Sequence, residues 1–178
     1  MKVLYLITPI LFLIASCATV EEVVDEDYTD ETEIVDDERP DWYDYTNRSY
    51  ADTASFVGIG LAASTDAGTA QQQAEKQAKA NLLYAIDTFA EEIREELAEG
   101  QGGGQFSSTE FIINLRNTVH NLAITDDVEH ITEHIEKDNS VNHVYFKSKI
   151  DRQAAIRALS DALQNDQFSS AMNDREVL

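Results

Sequence analysis

The stretch STDAGTAQQQAEKQAKANLLYAIDTFAEEIREELAE, Ser64 to Glu99, decides the fold. Ala67, Ala70, Ala74, Ala78, Leu82, Ala85, Ile86, Phe89, Ile93 and Leu97 recur every three or four positions, with Gln, Glu and Lys between them. This spacing predicts one long amphipathic helix. No Pro or Gly interrupts it from Thr69 to Glu99, so at a rise of ~1.5 Å per residue it spans roughly 50 Å. Whatever follows in the chain has to pack against its stripe.

Immediately upstream lies Ser55-Phe56-Val57-Gly58-Ile59-Gly60-Leu61-Ala62. Val57, Ile59 and Leu61 alternate with Phe56, Gly58, Gly60 and Ala62, a strand whose small face lets a helix come close. Gly58 to Ala63 also satisfies G-x-G-x-x-A, the turn that receives pyrophosphate in dinucleotide-binding enzymes. That turn needs a second parallel strand bearing an acidic residue. Here the long helix occupies the space, and Asp66 sets a negative charge where phosphate would sit. The motif is therefore read as a strand end, with no cofactor.

Downstream, Gly100-Gln101-Gly102-Gly103-Gly104 stops the helix without the Lys-Ser/Thr of a phosphate loop. Ser107 and Glu110 form a capping-box pattern ahead of a second, shorter amphipathic helix carrying Phe111, Ile112, Leu115, Val119 and Leu122. The segment from Ala123 to Lys137 is ambiguous: Ile124, Val128, Ile131 and Ile135 fit helical spacing. Yet Asp138-Asn139-Ser140 is a polar turn, and beyond it Val144, Phe146, Ser148 and Ile150 alternate with His143, Tyr145, Lys147 and Lys149 as a strand. A β-hairpin accounts for both sides of the turn. Within the first arm, His130-Ile131-Thr132-Glu133-His134 matches H-x-x-E-H, the zinc signature of inverted metallopeptidases. Metal sharing by two imidazoles at that spacing requires a helix; on a strand they stand ~13 Å apart. The histidines are read as strand residues facing solvent, and no metal site or catalytic residue is assigned. Asp151 then caps a final helix with Ala154, Ala155, Ile156, Leu159, Ala162 and Leu163 as its stripe, and residues 165–178 read as a polar tail that frays.

The N-terminus speaks to location. Met1-Lys2 precedes an apolar run, Val3 to Ala15, which is the length of a signal-peptide core and too short for a membrane span. Ile14-Ala15-Ser16-Cys17 follows and resembles the bacterial lipobox, in which an aliphatic residue and two small ones precede a cysteine that is acylated and becomes the mature N-terminus. Cys17 is the only cysteine and has no disulfide partner within the chain. Residues 1–16 are thus read as a lipoprotein signal and Cys17 as the lipidation site; Ala18 stands where an inner-membrane retention signal often places Asp, which by analogy with lipoprotein sorting favours the outer membrane. Several acyl chains on one residue make a stable anchor by burial of methylenes.

From Glu21 to Pro40, 11 residues are acidic and only Arg39 is basic. Such a segment buries too little apolar surface to offset its ordering entropy, so residues 17–40 read as a disordered acidic tether. Without the signal the chain carries 34 acidic against 12 basic residues, a charge of −22; without the tether it carries 23 against 11, or −12. A domain this acidic lacks the Lys/Arg clusters that nucleic acid or an anionic lipid surface demands. Residues 41–164 suffice for one domain with its own core.

In order the elements read strand, helix, helix, strand, strand, helix: an α+β fold with a three-stranded antiparallel sheet on the long helix. The lipidated Cys17, the Pro40-Asp41-Trp42 start, the Val57-Gly58-Ile59-Gly60 strand leading into an Ala-rich helix, and Val144-Tyr145-Phe146 ahead of Asp151-Arg152 occur together. In that order they resemble the LPP-twenty lipoproteins of bacterial outer membranes and their flagellar accessory relatives. The resemblance implies a dodecin-like arrangement, a strand after Ile124, no catalytic residues, and a partner in an envelope or flagellar assembly or in further copies of the chain. The long tether and the Gly-rich break depart from that pattern. Two other roles fit a non-enzymatic tethered domain: a module binding a small hydrophobic ligand near Phe89, Ile93 and Phe146, and a tethered regulator of cell-wall synthesis.

Overall fold

In the computed structural model, residues 39–100, 103–122, 128–137 and 141–175 are described, all within one unit, Asp37–Leu178. The elements follow the order β1 (Ser49–Ala51), β2 (Ser55–Ser64), α1 (Ala67–Glu99), a 3-10 turn (Gly103–Gln105), α2 (Thr109–His120), β3 (Val128–Lys137), β4 (Val141–Asp151), α3 (Arg152–Leu163) and α4 (Asp166–Asp174). The class is α+β, as read from the sequence. The sheet has four strands and not three, in the spatial order β1-β2-β4-β3, with all neighbours antiparallel. The extra strand, β1, is only 3 residues long.

The 33-residue α1 is the scaffold. Asp66 caps it by accepting a 2.7 Å hydrogen bond from the Thr69 backbone N–H, so the acidic residue that argues against phosphate at this turn instead starts the helix. Its first half lies on the glycine face of β2. A Cβ built on Gly58 would stand 2.1 Å from both the Ala78 carbonyl oxygen and the Leu82 amide nitrogen, and one on Gly60 would stand 2.0 Å from the Ala74 carbonyl oxygen. Only glycine permits a helix backbone to approach a strand backbone this closely. Ala70, Ala74 and Ala78 keep the helix side of the contact equally small, and Ala62, Val144 and Phe146 complete this part of the core.

The second half of α1 serves a different layer. Ala85, Ile86, Phe89, Ala90 and Ile93 pack with Leu115 and Val119 of α2, Ile156 and Leu159 of α3, and Phe168 and Met172 of α4. The stripe thus changes from alanine, where it meets the glycines of β2, to larger side chains, where it meets the helices together with Phe56 of β2 and Ile150 of β4.

Two end signals differ from the sequence reading. α2 is capped by Ser108, whose hydroxyl accepts from the Phe111 N–H at 3.2 Å, rather than by Ser107. Glu110 then falls in the first turn, one residue short of capping-box spacing. The polar tail is also more ordered than expected. Residues Asp166–Asp174 form α4, capped by Asn165, with Phe168 and Met172 fully buried. Phe168 stacks within a ring cluster, 5.5 Å from Phe111 and 6.3 Å from Phe106. Arg175 then pairs with Glu92 and Glu96 of α1, and its carbonyl accepts from the Arg152 guanidinium at 2.7 Å. The packed core therefore runs past Gln164, where the sequence reading ended the domain.

Candidate functional site

The segment left ambiguous in the sequence is a strand, β3, over Val128–Lys137. Its register with β4 sets Val128 against Ile150, His130 against Ser148, Thr132 against Phe146 and His134 against Val144. Positions 130 and 134 of H-x-x-E-H are therefore strand positions ~13 Å apart along the backbone, without the helical spacing that lets two imidazoles share a metal ion. His130 instead places Nδ1 3.2 Å from the buried Ser148 hydroxyl and its ring 5.3 Å from the Phe146 ring. Among the described residues, no group of three or more His, Cys, Asp or Glu side chains could hold a metal ion.

The glycine motif is likewise structural. Gly58 and Gly60 face α1 at backbone contact, so no space for a phosphate exists there. Phe89 and Ile93 belong to the helical part of the core, whereas Phe146 belongs to the part beside Ala70 and Ala74; the three do not converge on one site. Cys17 and residues 17–38 of the acidic segment lie outside the described residues, and of that segment only Arg39 and Pro40 are described. No helix among the described residues is long and apolar enough to cross a membrane.

The two edges of the sheet are built differently. Along β2, β1 covers only Phe56 to Gly58, and the Ile59 N–H donates to the Arg48 carbonyl at 2.8 Å. Beyond that, α1 side chains occupy the edge: Asn81 Nδ2 donates to the Ile59 carbonyl at 2.6 Å, and the Leu61 N–H donates to Gln77 Oε1 at 3.3 Å. Ser49 Oγ in turn donates to the Asn81 carbonyl at 2.6 Å. This edge is closed by a short strand and by side-chain bonding, two of the devices that keep edges from pairing. On the other side stands β3, 10 residues long, in unbroken register with β4 and with no strand beyond it among the described residues. Glu129, His130, Ile131, Thr132 and Glu133 are all exposed, Ile131 to 38 %.

Two further surfaces flank the sheet. On the face turned from α1, Tyr43 meets the buried Tyr145 edge-on at 4.8 Å, and the Lys147 ammonium lies 5.8 Å from the Trp42 ring centre. The Pro40-Asp41-Trp42 start is thereby tied to the same strand, β4, that carries Val144-Tyr145-Phe146. Between α1 and α2, a shallow groove of about 470 Å³ is lined by Leu83, Tyr84, Asp87, Arg116, Val119 and His120. Burial holds the Asp87 carboxyl above its ordinary range and Glu91 adds to this, while Arg116 pulls it the other way. The sequence carried no motif for this groove, because its residues come from the polar flanks of two separate helices.

No family model matches the chain, and no curated protein or solved structure shows significant similarity to it.

Proposed function

We propose that this protein is a lipid-anchored bacterial envelope lipoprotein of the LPP-twenty type, held at the outer membrane through acylated Cys17, whose α+β domain is a non-catalytic interaction module. The observation that carries the reading is Ile14-Ala15-Ser16-Cys17 at the end of an apolar run, with no second cysteine in the chain. The strand and helix arrangement in which β2 leads into an Ala-rich helix supports it, as does the tie between the Pro40-Asp41-Trp42 start and β4. The chain's two enzyme-like motifs are taken up by packing and strand geometry, which supports reading the domain as a recognition module. Partners on this reading are envelope or flagellar proteins, or further copies of the chain, and the acidic segment sets the domain away from the membrane.

Envelope fractionation of the native protein beside Cys17→Ser tests it. The native chain is expected in the outer-membrane fraction and the variant outside it. Identical distribution of the two would remove lipidation as the anchor.

A further inference from the structure

We infer that the open β3 edge is a self-recognition surface, on which two copies of this chain pair antiparallel about a two-fold axis passing through Glu133. The inference rests on reading the domain as an interaction module and names one partner for it, a second copy; it does not depend on lipidation.

The two edges of the sheet are built in contrasting ways. The chain closes the β2 edge with β1, Asn81 and Gln77, yet among the described residues no strand lies beyond β3, whose 10 residues follow β4 in regular register without Pro or bulge and whose Glu129 to Glu133 are exposed. An edge of that kind templates another strand. A two-fold perpendicular to the sheet keeps each residue on the same face as its partner, so it must pass through a residue position. The sequence Val-Glu-His-Ile-Thr-Glu-His-Ile-Glu-Lys then discriminates among the registers. Centred on Ile131, Glu129 meets Glu133 twice. Centred on Thr132, Ile131 meets Glu133 and Val128 meets Glu136. Centred on His134, Ile131 meets Lys137 and Ile135 meets Glu133. Centred on Glu133, Glu129 meets Lys137 twice, His130 meets Glu136 twice, and Ile131 meets Ile135 twice, with Thr132 opposite His134.

A two-fold centred on Ile135 is matched too, with Glu133 opposite Lys137, His134 opposite Glu136 and Ile135 opposite itself, but it pairs only residues 133–137. The register centred on Glu133 carries the same kinds of pair over nine residues, and cross-strand pairs of these kinds are the unit of sheet stabilisation. Its one like-charged meeting is Glu133 with itself, at an exposed position. Lys149 lies opposite Glu129 on β4, so each copy would extend a Lys-Glu-Lys row into the other. Nine paired residues join two four-stranded sheets into one continuous eight-stranded sheet.

The test uses the full-length chain in detergent. Residues directly opposite across an antiparallel pair have Cα atoms ~4.5–5.5 Å apart, within disulfide reach. In a Cys17→Ser background, which removes the only native cysteine, Glu133→Cys is expected to oxidise to a covalent dimer. Ile131→Cys, whose partner position is 135, is expected to give little. By sedimentation, Lys137→Glu is expected to weaken association roughly tenfold, because two attractive pairs become repulsive. Adding Glu129→Lys to it restores the dimer, as does mixing the two single variants. A chain that stays monomeric throughout, equal crosslinking at positions 131 and 133, or no rescue by charge exchange would overturn the inference. The anchor is read separately from the distribution of Cys17→Ser, so failure of one leaves the other standing.

Discussion

Gly58→Ala reports directly on how α1 sits on the sheet. The added Cβ would lie 2.1 Å from two backbone atoms of α1, the Ala78 oxygen and the Leu82 nitrogen, where ordinary contact needs about 3.4 Å or more. Neither atom belongs to a side chain that can swing away, so the helix must withdraw by roughly 1 Å. A gap of that size forfeits a quarter to a half of each dispersion contact it opens, and it opens them along Ala70, Ala74, Ala78 and Leu82 together. Overpacking of this kind costs about 3 kcal/mol or more, which for a domain of this size lowers Tm by roughly 10 °C. In an ordinary strand the same substitution would be favourable by ~0.5–1 kcal/mol, because glycine is the weaker strand former. The sign therefore decides the matter. Gly68→Ala is the control: the nearest atom to its Cβ is 3.6 Å away at Asp66 Oδ1, so a gain of up to ~1 kcal/mol is expected in the first turn of α1. Thermal and urea unfolding followed by circular dichroism measures both. An unchanged or raised Tm for Gly58→Ala would refute the close approach.

Three further outcomes follow from the same packing. Phe168→Ala removes a fully buried ring that joins α4 to Phe106 and Phe111, so a loss of ~3–5 kcal/mol is expected; a frayed tail would give almost none. Gln164 closes α3 with φ 51°, the left-handed conformation that glycine adopts without cost, and Gln164→Gly is expected to stabilise by ~0.5–1 kcal/mol in the same unfolding assay. Asp87 has its folded pKa raised, first by burial and then by Glu91. Its contribution is therefore fully present below the unfolded carboxyl value and is lost as pH rises through the raised folded value. Asp87→Asn should accordingly be more stable than the native chain at pH 7, and the advantage should vanish below about pH 4, as read from paired melts across pH.

Much of this architecture is legible in the sequence because its decisive contacts are periodic. The alanine stripe from Ala70 to Ala78 and the glycines at 58 and 60 are two halves of one contact, and each predicts the other. β4 alternates cleanly for the same reason, since one face meets α1. β1 was not legible: 3 residues flanked by polar ones carry no period, and their pairing is set by β2. α4 was readable in principle, because Asn165 as cap and Phe168 with Met172 four apart mark a short helix, but two anchors in a polar segment resemble a tail. The H-x-x-E-H stretch shows the converse. Its isoleucines fit a helix and its chemistry would need one, yet pairing with β4 overrides the local spacing. The edge of β3 is visible only after the strand order is known, because no sequence pattern states which strand lies outermost.

The central claim is the anchor at Cys17, and the mass of the mature N-terminal peptide from membrane-extracted native protein tests it most directly. A peptide that begins at Cys17 and carries acyl chains is expected, with that added mass lost in Cys17→Ser. An unmodified peptide that includes Cys17, or one that begins elsewhere after ordinary signal cleavage, would contradict it.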